Sequence, residues 1–175
     1  MGAGEAAGFE AWYAREFSRV RATLALAVGD AGLAEEATAE AFARALARWP
    51  AVSRVDSPVG WVYTVALNQV RSTLRRSRLE RRWAQRQPVL VEPPSAEPDD
   101  ELWRAVAALP DRARLAVALR YVADLPEAEV AAAMGVARGT VAATLHQARK
   151  RLAAVLSVET PGHIGTGRME RGAGK

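Results

Sequence analysis

The sequence contains no cysteine, which excludes disulfides, thiolate nucleophiles and cysteine-ligated zinc or iron–sulfur centres. Histidine is nearly absent as well. The only two are His146 and His163, the second in the C-terminal tail, so neither a metal site nor any other cofactor is expected. No paired acid and base, nucleophile–histidine set or phosphate-cradling glycine loop stands at a recognisable spacing, and an enzyme is not expected. No apolar run approaches the ~18 residues of a membrane span. The start, Met1-Gly2-Ala3-Gly4-Glu5, lacks the basic and apolar regions of a secretory signal. A cytoplasmic protein without membrane insertion is the expectation. Lysine is rare too: of 24 basic residues only Lys150 and Lys175 are lysine. Together with abundant alanine this suits a GC-rich genome, so the arginine excess alone says little about chemistry.

What remains is a chain of 175 residues, half of them apolar, enough to fold as one ordinary domain or two small ones. The net charge of +4 and pI near 10.1 favour a polyanionic partner only where the charge is clustered.

Residues 9–85 read as helices, because apolar residues recur at three- and four-residue intervals with almost no strand-like alternation. Phe9, Trp12, Tyr13, Phe17, Val20, Leu24 and Val28 form one stripe. Gly29-Asp30-Ala31-Gly32 interrupts it, and a second helix is expected from Leu33 to Trp49, with Ala37, Ala41, Phe42, Ala45 and Leu46 inward and Pro50 just past its end. Pro58 sits where a third helix can begin, since its fixed φ and missing N–H are harmless in a first turn. Trp61, Val65, Leu67 and Val70 continue inward from there. Between Gln87 and Leu102 the composition changes to prolines and acids, with no basic residue. Such a segment buries too little apolar surface to order itself and reads as a linker. Helical pattern resumes at Glu101, broken at Leu109-Pro110 and Asp124-Leu125-Pro126 into about four helices, and the Gly-rich end reads as a tail. The fold class is therefore all-α: two small helical domains joined by a flexible acidic, proline-rich linker. The expected boundaries are 1–86, linker 87–101, 102–157 and a disordered tail 158–175.

In the second half, Glu127 to Met134, then Gly135-Val136-Ala137, then Arg138 to Leu156 has the form of a helix-turn-helix, with Gly135 supplying the left-handed residue of the turn. Val141, Leu145, Ala148, Leu152 and Val155 share one face of the second helix and are expected to pack on Val130, Ala131 and Met134. The opposite face presents Gly139, Thr140, Ala143, His146, Gln147 and Lys150, flanked by Arg138, Arg149 and Arg151. In a DNA-reading arrangement the first turn of such a helix enters the major groove while its basic flanks meet phosphates. A plain helical hairpin is the competing interpretation, because glycine turns between helices are common.

The densest charge lies in the first half: Arg71, Arg75, Arg76, Arg78, Arg81, Arg82 and Arg86 against a single Glu80. Cations crowded onto about four helical turns repel one another, so an anion must neutralise them. A helix C-terminus would account for two or three arginines, not seven. Nucleic acid is the natural anion. Trp61 and Tyr63, earlier on the same helix, suit either unstacked bases or a core.

These halves, in this order, resemble the extracytoplasmic-function sigma factors of bacterial RNA polymerase, across roughly Phe9 to Leu156 apart from the linker. The C-terminal likeness rests on Leu109-Pro110-Asp111-Arg112-Ala113-Arg114 through Leu119-Arg120-Tyr121-Val122, on Leu125-Pro126-Glu127-Ala128-Glu129-Val130-Ala131, and on Met134-Gly135-Val136-Ala137-Arg138-Gly139-Thr140-Val141 with Leu145-His146-Gln147-Ala148-Arg149. In the N-terminal half, Ala34-Glu35-Glu36-Ala37-Thr38-Ala39-Glu40-Ala41-Phe42 is similar to the family's acidic helix, which grips the clamp helices of the polymerase largest subunit. The resemblance implies polymerase contacts from Glu35, Glu36, Glu40 and Phe42. The stretch Arg54-Val55-Asp56-Ser57-Pro58 and Trp61 to Asn68 resembles the loop and helix that melt and read the minus-ten element. It implies that Ser53, Arg54, Asp56 and Ser57 cup a flipped base, with Trp61, Asn68, Arg71, Arg75 and Arg76 along the non-template strand. Minus-thirty-five contacts are implied for Arg138, Gly139, Thr140, Ala143, Thr144, Gln147, Arg149 and Lys150. The implied partners are core RNA polymerase, through its clamp helices and flap, promoter DNA, and an anti-sigma factor or related sequestering device.

The sequence departs from the family's pattern at Leu33 and Ala39, where an aspartate and a glutamine are usual, and at Ala142, Ala143 and Thr144, where lysine, serine and arginine are common. With fewer phosphate anchors, at roughly −0.9 salt-slope units per lost contact, the implied minus-thirty-five binding is weaker and less salt-dependent. Pro126 replaces a capping serine, losing the side-chain cap but stiffening the first turn. Two other functions compete. An autonomous helix-turn-helix regulator would need a dimer seam or ligand pocket, which the N-terminal pattern does not suggest. A helical adaptor would leave the clustered arginines unexplained.

Overall fold

The structure is a computed structural model that describes residues 3–83 and 101–158. All regular structure among the described residues is helical. Helix α1 spans Ala3–Val28, α2 Ala31–Ala47, the single turn α3 Trp49–Val52, and α4 Pro58–Trp83. After the linker come α5, Glu101–Ala107, and α6, Asp111–Val117, which widens into a π-helical turn over Ala118–Val122. Helices α7, Glu127–Met134, and α8, Arg138–Val158, complete the chain. Residues 87–100 of the expected linker and 159–175 of the expected tail lie outside the described residues, while Glu101 already belongs to α5 and Val158 to α8.

The breaks follow local chemistry. Gly29 adopts φ 75°, closing α1 with a bond from its N–H to the Ala25 carbonyl at 2.8 Å. Asp30 is then the N-cap of α2, its carboxylate accepting from Leu33 N at 2.9 Å, so the helix starts at Ala31 and not, as the glycines suggested, at Leu33. Pro50 does not end α2; it lies in the first turn of α3, where its missing N–H costs nothing. Ser57 caps α4 in the same manner, its hydroxyl accepting from Gly60 N at 3.1 Å. Gly135, at φ 67°, ends α7 with bonds from its own N–H to Ala132 O and from Val136 N to Ala131 O, the paired closure of a left-handed helix end. The expected turn between α7 and α8 is therefore present.

In the N-terminal half, α1 and α4 pack on either side of α2, which meets them through Ala34, Ala37, Ala41 and Ala45, all fully buried. Small side chains here let the backbones approach closely. At one end the rings of Phe9, Trp12, Phe42 and Trp49 pack with centroids 4.9–5.8 Å apart. Val141, Leu145 and Ala148 of α8 pack as expected with Val130, Ala131 and Met134.

Two expectations about burial are corrected, and one alternative left open by the sequence is decided. Leu46 is 40% exposed, because it stands at the side of an open groove between α1 and α2. Val155 is 48% exposed, since α8 outruns the helices it packs on. Tyr63 is fully buried, so it is a core ring and offers no face to a base; burial also pushes its phenol pKa up.

The sequence carried no sign that the two halves share a core. Helix α1 packs on α6 and the π turn, α4 packs on α7, and one apolar cluster runs through both halves. Guanidinium groups bridge them by reaching carbonyls at helix ends. Arg114 donates to Ala27 O at 3.2 Å and Val28 O at 3.5 Å, Arg19 to Ala123 O at 3.4 Å, and Arg71 to Ala133 O at 2.9 Å. Such cations sit well against the negative ends of helix dipoles.

Candidate nucleic-acid interface

The first basic surface belongs to α4 and the loop before it. Ser53, Arg54 and Asp56 are exposed on the loop, and Ser57 and Trp61 are half-buried where the loop becomes helix. Positions 68, 71 and 75 follow at helical spacing along one side. Asn68, Arg71, Arg75 and Arg76 are all exposed, and the Asn68 side-chain oxygen accepts from Arg71 at 2.9 Å. Arg71 bends toward α7 to reach Ala133 O, and the partial desolvation lowers its pKa without threatening its charge. Arg75 and Arg76 are exposed, and neither forms an ion pair with another described side chain. Arg86 and the side chains of Arg78, Arg81 and Arg82 lie outside the described residues.

The second basic surface is α8. Its N-terminal turn presents Arg138, Gly139 and Thr140 to solvent, followed by exposed Ala143, Gln147, Arg149 and Lys150. Thr144 is half-buried, its hydroxyl turned back to Thr140 O at 2.7 Å. Arg138 keeps only a loose contact with Glu127, at 3.7 Å, and α8 contains no acidic residue. An exposed helix of this charge, with its first turn open, can lie along a duplex groove. Tyr121 was missed as a surface residue. The π turn throws its side chain outward to 51% exposure, and Arg149 reaches its hydroxyl at 3.5 Å. Periodicity could not have found it, because the inserted residue breaks the helical phase.

A third surface is acidic and apolar together. Glu35 and Glu36 are exposed on α2, and Glu40 is half-exposed and paired with Arg44 at 2.6 Å. Phe42 shares the helix but is only 2% exposed, its ring against Trp12, Tyr13 and Phe17, so it cannot be reached as freely as the glutamates. It instead forms the floor of a groove whose sides are Phe9, Tyr13, Phe17, Ala39, Ala43 and Leu46. The apolar part of this surface, Tyr13, Phe17 and Leu46, was read in the sequence as apolar helix face and not as part of a site. The signal for it was the surplus of rings on α1, more than one face of α2 can cover.

Nearby, Glu16 is buried on α1. Burial alone would raise its pKa, but hydrogen bonds and charge from Arg15, at 2.9 Å, and Arg19, at 2.6 Å, outweigh that and hold the carboxyl below its ordinary value. Among the described residues no group of three histidine, aspartate or glutamate side chains could hold a metal ion, and no helix is long and apolar enough to cross a membrane.

Comparison with known proteins places these surfaces within two recognised regions. The sequence family described as Sigma-70 region 2 matches residues 12–80, and that described as Sigma-70, region 4 matches residues 99–152. No curated protein matches significantly. Among solved structures, the chain is similar to the sigma factor RpoE, solved in complex with the anti-sigma factor NepR from Bartonella quintana. That similarity has a TM-score of 0.70 and 20% identity over 87% of this chain and 99% of the other. CnrH, solved in complex with the cytosolic domain of CnrY, is similar with a TM-score of 0.54 and 20% identity over 87% and 89% of the two chains.

Proposed function

This chain belongs to the sigma-70 family of RNA polymerase sigma factors, and from that premise we propose how its surfaces divide the work of promoter-specific initiation. Residues 1–86 dock on core polymerase and open the minus-ten element, residues 87–101 link the halves, and residues 102–157 read the minus-thirty-five element, followed by the tail 158–175. The chain performs no chemistry of its own and works in the cytoplasm, as the two-domain extracytoplasmic-function group that it resembles does.

In this proposal Glu35, Glu36 and Glu40 meet basic residues of the clamp helices, while the groove floored by Phe42 takes an apolar side chain between them. Interfaces commonly join a buried apolar centre to a charged rim, and the rim steers the encounter. At the minus-ten element, Ser53, Arg54, Asp56 and Ser57 cup a base drawn out of the stack, and Trp61 supports it. Unstacking costs a few kcal/mol, which Asn68, Arg71, Arg75 and Arg76 offset by holding the strand's backbone. On α8, Arg138, Gly139, Thr140, Ala143, Thr144 and Gln147 face bases in the major groove, with Arg149 and Lys150 on phosphates. An anti-sigma partner completes the proposal: RpoE is held by one in its solved complex, and two separated working surfaces suit a clamp that covers both.

The single observation that carries this reading is the exposed Asn68–Arg71–Arg75–Arg76 row on α4, three cations at helical spacing along one side of the helix. The test is binding to bacterial core RNA polymerase by the wild-type chain and by Glu35→Arg/Glu36→Arg. Tight binding by the first, lost in the second, is expected. Duplex DNA binding without any binding to core polymerase would instead favour an autonomous regulator.

A further inference from the structure

The surface proposed to hold the melted minus-ten strand is not wholly free in this structure; the helix-turn-helix half meets it at Ser57 and Arg71. The Ser57 hydroxyl donates to Glu129 Oε2 at 2.6 Å while accepting from Gly60 N at 3.1 Å. Glu129 lies in the first turn of α7, and its carboxylate therefore rests on the first turn of α4, where open N–H groups and the helix dipole favour an anion. The fit is close. A Cβ on Gly60 would stand 2.5 Å from Glu129 Oε2 and 2.8 Å from Ser57 Oγ, so only glycine lets the carboxylate approach. Further along α4, the Arg71 guanidinium donates to Ala133 O, at the negative end of α7, at 2.9 Å. Both ends of α7 are thus held by α4, each by the electrostatically matched partner.

Ser57 and Arg71 are two of the residues proposed to hold the strand, and in this arrangement both are occupied from within the chain. The other bridges between the halves, from Arg114 to Ala27 and Val28 and from Arg19 to Ala123, join α1 to the C-terminal half and cover no proposed DNA contact. The first turn of α8 also stays exposed. Docking and strand binding therefore exclude each other at one place, the contact between α4 and α7.

We propose that α7 is an internal competitor for the minus-ten strand, with the Glu129 carboxylate occupying the anion position at the start of α4 that a strand phosphate takes once the halves separate. The inference rests on the proposed strand-holding role of α4. Undocking α7 then precedes promoter opening, and any partner that separates the halves activates the protein.

The test uses the full chain, with Arg21→Cys and Arg151→Cys introduced into its cysteine-free sequence to carry spin labels, and oligothymidylate as a single-stranded probe without promoter sequence. Glu129→Ala removes the carboxylate and leaves every proposed DNA contact in place. It is expected to broaden the label–label distances toward longer values and to raise oligothymidylate affinity about ten-fold, the scale of one hydrogen bond to a charged group. Glu129→Gln, which keeps the shape and an acceptor oxygen, is expected to fall between. Unchanged helicity and cooperative melting show that each variant is folded. Unaltered distances and affinity in Glu129→Ala would overturn the proposal, as would longer distances with no gain in affinity. Arg75→Ala/Arg76→Ala separates the two ideas: if it leaves oligothymidylate binding intact, the strand-holding role of α4 fails, while the distances still report whether Glu129 holds the halves together.

Discussion

The two halves of the protein build their cores from different materials. In the N-terminal half the interior contains Phe9, Trp12, Phe42, Trp49 and Tyr63, none more than 8% exposed. In the C-terminal half no ring is buried among the described residues: Trp103 is 38% and Tyr121 51% exposed, and the interior is valine, leucine, alanine and Met134. Rings bury large areas on long helices, so the first half has interior enough to hold its surfaces rigid by itself. The second half, apart from α8, is made of short helices held by backbone closures such as that at Gly135 and by contacts borrowed from α1 and α4. The difference suits a division of labour in which a firm scaffold grips polymerase and opens DNA while a lighter module docks and undocks.

The comparison breaks most directly on its cores. Phe42→Ala is expected to cost about 4 kcal/mol, a large share of the stability of a small protein, and Leu145→Ala about 3 kcal/mol. Because one apolar cluster runs through both halves, each is expected to shift a single unfolding transition, measured by helicity against denaturant. If Leu145→Ala splits the curve, leaving an unchanged N-terminal transition, the halves are independent and the borrowed contacts are worth little.

Arg114→Ala sharpens the point. Its side chain is only 13% exposed, and it joins the carbonyls of α1 to those of Ala107 and Leu109. The expected loss is about 2 kcal/mol, with faster amide exchange in α5 and α6 and little change in α2. Arg114→Lys, which keeps the charge but not the planar fork, is expected to recover less than half of that.

The smallest effect concerns acid. The Glu16 carboxyl has a folded pKa below its ordinary value, so the stability it contributes is present above the unfolded pKa and is lost as pH falls through the folded one. Its partners Arg15 and Arg19 are 67% and 41% exposed, and solvent screening keeps the contribution below about 1 kcal/mol. Glu16→Gln is expected to melt slightly lower than wild type at neutral pH, with the gap closing in acid. A gap that persists unchanged at low pH would assign it to packing instead.

Much of this architecture was legible in the sequence. Pro58 marks the start of α4, Gly135 the turn before α8, and the spacing of Val141, Leu145 and Ala148 the face that α8 buries, because each reflects local geometry. Other features depend on what arrives from elsewhere. Periodicity identifies an apolar face but not how far a neighbour covers it, hence Leu46 and Val155 in solvent. Trp61 and Tyr63 stand two residues apart, and only the packed structure separates the half-buried ring from the core one. The docking of the halves rests, beside the shared apolar cluster, on arginines reaching carbonyls and on Ser57 meeting Glu129, contacts between polar groups that carry no repeating pattern. Of the proposed site, the charged residues could be read from composition and resemblance, whereas the apolar groove beside Glu35 and Glu36 required the relative placement of α1 and α2.

The most direct test of the central claim is transcription in vitro from bacterial genomic DNA by core polymerase with and without the chain, mapping RNA 5′ ends. Discrete start sites that appear only with the chain, preceded by two shared elements at constant spacing and lost with Arg75→Ala/Arg76→Ala, are the predicted result. Start sites no different from those of core polymerase alone, with the chain bound to the enzyme, would contradict it.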